Sequence, residues 1–486
     1  MTRRVFLGVD CGTQSTKVLV VDGETLEVLS TGRSSHELIE RSDGTREQSP
    51  AWWISALITA TRQAMDAAGP VEVAGIGVSG QQHGLVCLGG DDQPLRAAKL
   101  WNDTTTVEEC RLLTEAVGGQ ERALALTGNS FLPGYTAPKV LWLRRHEPDV
   151  YARVRRICLP HDYLNLWLTG VFATEAGDAS GTAYFDVRRR VYSQPVLTAI
   201  SDALDWYRTL PPVVDSLSVM GHVRASSAEV LGISAGVPVS AGGGDNMLAA
   251  IGVGAVGEGP VVLSLGTSGT SFAYRRQSAV DPRGEASAFC DSTGGWLPLV
   301  TTLNCTVATD WVSSLFGLDH RGVDKALENS VPGAQGLSFL PHLGGERTPT
   351  LPHGAGVFAG VRAEHTPRDM VRAVFEGVTF GLKYAVGALE RSGVRPDQLT
   401  LVGGGAASDM WAQLCADIFE LPVVRPSQTE AAALGAARQA RWVVDQVPVE
   451  VGMDAERRFE PAASEQLRSA EARTSRLREV AIQSGL

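Results

Sequence analysis

Apolar positions in this chain form short continuous runs that alternate with longer stretches in which they recur every three or four residues. Short runs bounded by turn residues are typical of buried strands, and the longer spacing is typical of helices with one packed face. The order mixes both kinds in each half, which predicts an α/β fold. Strands are predicted at 5–9, 17–22, 71–79, 85–88, 237–241, 261–265, 270–274 and 399–402. Helices are predicted from Ser49-Pro50 onward, at 137–146, 161–168, 246–251, 367–391 and 408–419, and in the charged segment after residue 462.

Two hairpins stand at matching places in the two halves. In the first, an apolar strand leads through Gly12-Thr13 into a second strand, and Gly266-Thr267 has the same place in the other. Such turns present backbone N–H groups and hydroxyls in a small concavity that suits phosphate oxygens. We therefore expect two copies of a phosphate-binding unit to face each other across a cleft, with domains at 1–254 and 255–486.

A carboxylate on a glycine-rich turn closes the first half. The sequence at 242–246 is Gly-Gly-Gly-Asp-Asn, between a predicted strand and an apolar helix. Asp245 is either a helix N-cap or a catalytic base. Three successive glycines allow another group to approach the backbone closely, and a helix N-terminus keeps a carboxylate ionised. We favour the catalytic role, and the phosphate turns on either side then predict phosphoryl transfer.

Two charged residues flank the first turn. Asp10 is either a turn residue that caps its own backbone or a carboxylate that holds a metal-bound water, since Mg²⁺ needs few protein carboxylates. Lys17 either approaches phosphate or only flanks the hairpin. The sequence leaves both choices open.

A polar and aromatic group follows the strand at 71–79. Gln82, His83, Trp101 and Asp103 together supply hydrogen-bonding side chains and a flat apolar face, which suit a sugar. The same residues also fit a satisfied buried histidine and a core tryptophan.

Two further loops have open interpretations. Gly404 and Gly405 fit either an adenosine and phosphate site at a helix start or a tight strand-to-helix turn. The polar loop at 344–349 either lines the cleft or merely covers it.

Composition narrows the class of protein. The chain has 486 residues, 44% of them apolar, and a net charge of −11, which argues against nucleic acid as a partner. Its seven cysteines are scattered and odd in number, so neither a disulfide framework nor a zinc site is expected. No apolar stretch reaches membrane-spanning length. These features are typical of a cytoplasmic enzyme.

Two glycine patterns offer a rival function. The segments at 75–80 and 252–257 match the spacing of dinucleotide-binding glycines, which would suit an NAD-dependent enzyme. The first is not followed by a predicted helix, and the second follows a helix where a strand is required. No Gly-Lys dipeptide occurs, so a Walker A loop is excluded.

Taken together, these motifs resemble those of the FGGY family of carbohydrate kinases, whose fold is similar to actin, Hsp70 and hexokinase. The resemblance implies two duplicated actin-like, ribonuclease H-like ATPase domains around a central cleft. It covers nearly the whole chain, in order, through the segments at 8–13, 242–246, 265–269, 344–349, 403–406 and 432–437.

The resemblance also implies ATP and Mg²⁺ as co-substrates, a sugar as partner, and a homodimer as an assembly common in the family. Segments 79–84, 100–103, 133–139 and 159–164 favour D-xylulose as the acceptor. The implied roles are a base at Asp245, metal at Asp10, sugar at Gln82, His83, Trp101, Asp103 and Asn246, phosphates at Gly12, Thr13, Lys17, Gly266 and Thr267, and adenosine at Gly404 and Gly405.

Two positions depart from the family pattern. Gln82 stands where some relatives have Met, and His161 stands where Lys is common; we expect either to shift sugar preference without touching the chemistry. The rivals are a kinase of ribulose, gluconate or a polyol such as xylitol, and an actin- or Hsp70-like ATPase whose partner is a protein.

Overall fold

The computed structural model describes residues 2–427, 430–451 and 455–485. Its strands are β1 Arg3–Cys11, β2 Ser15–Asp22, β3 Val28–Ser35, β4 Ile39–Glu40, β5 Arg46–Gln48, β6 Val71–Gly80, β7 Val86–Leu88, β8 Ala98–Lys99, β9 Arg156–Cys158, β10 Thr174–Glu175, β11 Phe185–Asp186, β12 Val191–Tyr192, β13 Val213–Val214, β14 Val219–His222, β15 Pro238–Ser240, β16 Gly243–Gly244, β17 Pro260–Leu265, β18 Gly269–Ala273, β19 Leu299–Thr302, β20 Ser338–Pro341, β21 Gly356–Ala359, β22 Gln398–Val402, β23 Val423–Pro426 and β24 Ala455–Phe459.

Its α-helices are α1 Pro50–Ala68, α2 Val107–Ala116, α3 Gln120–Thr127, α4 Thr136–His146, α5 Pro148–Arg153, α6 Pro160–Thr169, α7 Ala176–Ala179, α8 Gln194–Ile200, α9 Trp206–Thr209, α10 Ala225–Leu231, α11 Asp245–Gly252, α12 Thr306–Leu315, α13 His320–Glu328, α14 Pro367–Arg391, α15 Asp409–Phe419, α16 Ala431–Asp445 and α17 Glu465–Ser484. Within the described ranges, every helix is too short or too polar to span a bilayer.

The two halves contain sheets of the same topology. The first runs β3-β2-β1-β6-β15-β14 and the second runs β19-β18-β17-β22-β23-β24. In both, the central strand pairs antiparallel with the hairpin strand on one side and parallel with the next strand on the other. In both, the outermost strand beyond the parallel set is antiparallel. The duplication inferred from the hairpins and the α/β class are confirmed.

Helix α16 comes from the second half of the chain and packs on the first sheet. Glycines on the sheet and on α11 make this close approach possible. A Cβ added at Gly8 of β1 would lie 1.9 Å from the carbonyl oxygen of Ala433, and one at Gly77 of β6 would lie 2.0 Å from that of Ala436. We therefore propose domains at residues 1–254 and 255–486. Helix α16 belongs to the second domain in sequence and packs on the sheet of the first.

Several helices, α4, α6, α11 and α15, start within one residue of the predicted position. Pro50 is the first residue of α1, and Ser49 before it is extended, yet its hydroxyl makes no capping hydrogen bond. Helix α11 starts one residue earlier than predicted, because Gly244 is its N-cap and Asp245 its first residue. Asp245 is therefore not an N-cap, and its carboxylate is available for another role.

Candidate active site

The glycine run before Asp245 allows three close approaches. Strand β16 pairs Gly243 and Gly244 with the end of β6. A Cβ at Gly242 would lie 2.3 Å from the carbonyl oxygen of Val78, and one at Gly244 would lie 2.6 Å from Cγ of Gln82. Any larger residue would push the turn off the sheet. The run thus places Asp245 and Gln82 side by side.

Asp245 is half-buried and lines the cavity between the halves described below. Its Oδ1 accepts hydrogen bonds from the Asn246 backbone N–H at 2.8 Å and from Nδ2 of Asn246 at 2.9 Å. Burial, followed by the negative charges of Asp10 and Asp178, raises the pKa of Asp245 to about 7, against the opposing effect of the Asn246 hydrogen bonds. The site holds a carboxylate that exchanges its proton near neutral pH.

Asp10 is a second carboxylate near Asp245, since its charge acts on the pKa of that carboxyl, but it does not line the cavities described below. It lies opposite Lys17 in the β1–β2 register, and its Oδ1 accepts a hydrogen bond from Oγ of Ser79 at 3.0 Å. Burial is the main cause that raises its pKa to about 6. Lys17 itself pairs with Glu430, just before α16, and does not line the cavities described below. Lys17 thus joins the hairpin to α16, and its contact with phosphate stays a prediction.

The two Gly-Thr turns differ in how they are held. Oγ1 of Thr13 donates to Oε1 of Gln81 at 3.0 Å and accepts from Nε1 of Trp101 at 2.9 Å. The Gly12 N–H closes the turn on the carbonyl of Ser15 at 3.1 Å.

The second Gly-Thr turn is held by the start of α12. The carbonyls of Gly266 and Thr267 accept from the backbone N–H groups of Thr306 and Cys305, at 2.9 and 3.1 Å. Gly266, Thr267 and Ser268 line the cavity between the halves. A Gly-Thr-Ser segment at a cavity wall offers hydroxyls and backbone N–H groups, which suit an anion.

One cavity of about 370 Å³ joins the two halves. From the first half it is lined by Gln82, His83, Trp101, Leu132, Gly134, Tyr135, Asp245 and Asn246, and from the second by Ser264, Gly266, Thr267, Ser268, Thr270, Ser287, Phe289, Leu299, Thr301 and Arg347. The structure therefore brings together seven of the predicted site residues, namely Gln82, His83, Trp101, Asp245, Asn246, Gly266 and Thr267.

The residues of the first half that line this cavity are held by contacts with one another. Oε1 of Gln82 accepts from Nδ2 of Asn246 at 3.0 Å. His83 has a positive φ of 65°, and its ring packs edge-on against Tyr135 with centroids 4.8 Å apart. Burial, followed by the positive charges of Lys139 and Arg347, holds the pKa of His83 well below its ordinary value. A neutral imidazole and an amide pair are suited to hydroxyl groups.

Asp103 does not line this cavity, and the sugar contact expected for it stays a prediction. It is fully buried, and its Oδ2 accepts from Nζ of Lys99 at 2.9 Å and from the Arg46 backbone N–H at 2.9 Å. Its Oδ1 accepts from the N–H of Thr105 at 3.0 Å. Because these donors satisfy its oxygens, the Asp103 carboxylate fixes the loop that carries Trp101.

A second cavity of about 490 Å³ lies within the second half. Gly404 and Gly405 line it from a 3₁₀ turn between β22 and α15, together with residues that the sequence did not indicate. These are Thr306, Thr309, Asp310, Ser313, His320, Val323, Asp324, Phe375, Ala407, Ser408 and Trp411. Most lie on α12, α13 and α14. Their spacing in the sequence is that of any packed helix face, so it did not indicate a cavity.

His161 lies beneath the site and does not line it. Its Nδ1 is 2.6 Å from Oδ2 of Asp178, and both side chains are fully buried. A Cβ at Gly242 would lie 3.3 Å from the His161 ring. The residue therefore supports the turn that carries Asp245, while its effect on sugar preference stays a prediction.

The loop at 344–349 lines the cavity through Arg347, which settles the choice left open by its sequence. Tyr135, Ser287, Phe289 and Thr301 also line it and were missed. Oη of Tyr135 lies 2.5 Å from Oγ of Ser287 across the two halves. Only the segment containing Tyr135 had a motif that could have indicated it.

The chain matches the models of both domains of one family: "FGGY family of carbohydrate kinases, N-terminal domain" over residues 5–252 and "FGGY family of carbohydrate kinases, C-terminal domain" over residues 261–443. The chain belongs to the FGGY family of carbohydrate kinases, as its motifs predicted. It is an enzyme of the sugar kinase class, with ATP as a substrate.

Particular relatives are similar over most of their length. The xylulose kinase of Haemophilus influenzae is 42% identical, with 90% of each chain covered. That of Streptomyces coelicolor is 41% identical over 89% of this chain and 87% of its own. The structure of a "xyloylose kinase" from Brucella ovis has 33% identity and a TM-score of 0.91, covering 97% of this chain and 98% of that one.

Proposed function

We propose that this kinase transfers the γ-phosphoryl group of ATP to the terminal hydroxyl of D-xylulose. The observation that carries the proposal is the single cavity in which Asp245 and the polar residues of the first half meet the Gly-Thr turn of the second. The xylulose kinases that are 42% and 41% identical support the choice of sugar.

Asp245 is the proposed general base. A base works best when its pKa lies near the operating pH, and a carboxyl at about 7 meets that condition. As the sugar oxygen bonds to the γ-phosphorus, its proton passes to the Asp245 carboxylate. The bond from phosphorus to the bridging oxygen breaks, and ADP leaves with its electron pair. Because the transition state is loose, positioning and charge neutralisation supply most of the rate.

The acceptor sugar binds against the first half. We assign its contacts to Gln82, His83, Asn246 and Trp101, which line the cavity next to Asp245. Trp101 offers a flat apolar face, while its Nε1 holds the hydroxyl of Thr13 at 2.9 Å. Sugar bound on Trp101 therefore lies directly beside the first phosphate turn.

ATP spans the second half. Its phosphates are assigned to Gly266 and Thr267, which line the cavity between the halves, and its adenosine to the cavity of Gly404 and Gly405. Gly12 and Thr13 do not line either cavity, and their assignment to the phosphates relies on the hydrogen bond that joins Thr13 to the cavity residue Trp101. Because the Thr13 hydroxyl is bonded within the protein, we assign its contact to the backbone.

Mg²⁺ fits the residues at Asp10. Oδ1 of Asp10 accepts from Ser79, and within the described ranges Oδ2 accepts no hydrogen bond, so one oxygen is available. No group of three His, Cys, Asp or Glu side chains in those ranges converges as a protein-only metal site. Mg²⁺ commonly uses one or two carboxylates, waters and substrate phosphates. Bound there, it would neutralise charge on the phosphates of ATP.

The decisive experiment measures ADP release with Mg-ATP across D-xylulose, D- and L-ribulose, glycerol, gluconate and xylitol. We expect a strong response to D-xylulose and a weak one elsewhere. A response to another sugar would overturn the acceptor and keep the chemistry. Indifference to every sugar would favour the ATPase rival.

The cellular location and the oligomeric state are two further proposals. We propose a cytoplasmic location, supported by seven cysteines that are all buried free thiols, as in reducing compartments. We also propose a homodimer, which sedimentation of the purified protein would test against a monomer of 51.6 kDa.

A further inference from the structure

Among the described residues that line the cavity, Arg347 is the one with a cationic side chain. Of the residues that line the cavity, His83 is neutral because its pKa is held far down, and Asp245 is acidic. Arg347 makes no ion pair or side-chain hydrogen bond within the part of the chain that the structure describes. A half-buried guanidinium without an acceptor is suited to an anion that arrives with a ligand.

The loop that carries Arg347 is fixed by its neighbours. Oε1 of Glu346 accepts from the backbone N–H groups of Leu303 at 2.6 Å and Arg347 at 2.8 Å. Oγ1 of Thr348 donates to the carbonyl of Thr301 at 3.0 Å, at the end of β19. Strand β19 is the neighbour of β18 in the hairpin of the second phosphate turn. Arg347 and that turn are therefore parts of one rigid support.

Arg347 also acts across the cleft on the first half. Its positive charge follows burial and Lys139 among the causes that lower the pKa of His83. The same charge opposes the effect of burial on the pKa of Tyr135. The residue lines the same cavity as the proposed sugar contacts and the second phosphate turn.

The charges of the ligands indicate which of them the Arg347 guanidinium binds. D-xylulose is uncharged, whereas the group transferred to it is an anion that the proposed reaction places beside Asp245. We propose that Arg347 is a catalytic residue that binds the transferred phosphoryl group, during transfer and as the phosphate of the sugar product. Arg suits this role because its planar guanidinium meets two phosphate oxygens at once. The assignment rests on the proposed function of the cavity.

The test compares R347A and R347K with wild type, using R362A as the matched control. Arg362 is an exposed arginine of the same half, 70% accessible, and lies outside the cavity. We expect R347A to lower kcat about 100-fold with less than about a three-fold change in KM for the sugar. R347K should recover part of that loss, and R362A should match wild type.

A binding measurement separates this role from a structural one. Calorimetry of the sugar 5-phosphate product should show affinity for R347A at least about ten-fold weaker than for wild type, while affinity for the neutral sugar is unchanged. Equal product affinity, or a higher KM for the sugar with unchanged kcat, would overturn the proposal. Wild-type protein inactive on every sugar would instead refute the proposed function, and R347K covers the case in which R347A fails to fold.

Discussion

The two halves share a topology and differ in the residues at equivalent places. Two residues before each Gly-Thr turn, the first half has Asp10 and the second has Ser264. Across the hairpin, Asp10 faces Lys17, whereas Ser264 faces Thr270. A charged pair in one half thus corresponds to two hydroxyls in the other. The duplication preserved the framework, while the hairpin of the first half alone has a charged pair at these two places.

The same comparison explains helix α16. Four residues before each turn, the first sheet has Gly8 and the second has Val262; their parallel neighbours are Gly77 and Thr400. The two glycines let the backbone of α16 touch the first sheet, and the larger residues give the second sheet ordinary side-chain packing. Sequence differences at equivalent positions therefore decided both where charge lies and where a helix fits.

The largest expected effect is at Asp245. Asp245→Ala removes the proposed base and should lower kcat by about 10²–10⁴-fold, while nucleotide affinity, measured by titration with a fluorescent ATP analogue, stays near wild type. A variant that keeps a tenth of the activity would remove Asp245 from this role.

The equivalent pair Asp10 and Ser264 should respond unequally. Asp10→Asn removes the carboxylate proposed for Mg²⁺ and should lower kcat/KM for Mg-ATP by about 100-fold. Ser264→Ala removes a neutral hydroxyl and should cost about ten-fold at most. Steady-state kinetics at varied Mg²⁺ would check both. Equal losses would show that the two halves contribute alike, against the comparison.

Stability offers a third contrast. Gly8→Ala places a Cβ against the backbone of Ala433 and should reduce the free energy of unfolding by about 1–3 kcal/mol. Gly387→Ala on α14 is the control, since a Cβ there meets nothing within 4 Å, and a helical alanine should raise stability by about 0.5–1 kcal/mol. Thermal unfolding would measure both. A neutral result for Gly8→Ala would mean that α16 can move away from the sheet.

The pH dependence tests Asp245 without a substitution. Because the pKa of Asp245 is raised to about 7 and the ionised form is the base, kcat/KM for the sugar should rise with pH and level off above that value. Below it, each pH unit should cost about ten-fold. A profile that is flat from about pH 5.5 to 8 would contradict the assignment.

Much of this framework could be predicted from sequence because the signals are local. The hairpins, the Gly-Gly-Gly-Asp turn and the long helix α14 each depend on residues that are adjacent in the chain. The exact start of α11 was missed by one residue, since helix ends depend on a few φ/ψ angles around Gly244.

The site itself was only partly predictable. Gln82, His83 and Asp245 belong to motifs, but Ser287, Phe289 and Arg347 reach the cavity from separate loops. Conversely, Asp103 has the right chemistry for a sugar contact, but its carboxylate accepts hydrogen bonds from Lys99 and Thr105. Whether a polar side chain meets ligand or protein depends on neighbours far away in the chain.

The sequence by itself determined the family, the duplicated hairpins and the identity of the carboxylate on the glycine turn, because each is encoded in contiguous residues. Tertiary structure alone decided that Lys17 pairs with Glu430, that α16 crosses to the first sheet and that Arg347 faces Asp245 across one cavity. Those outcomes depend on contacts between distant segments, and the packing and burial that create them exist only in the folded chain.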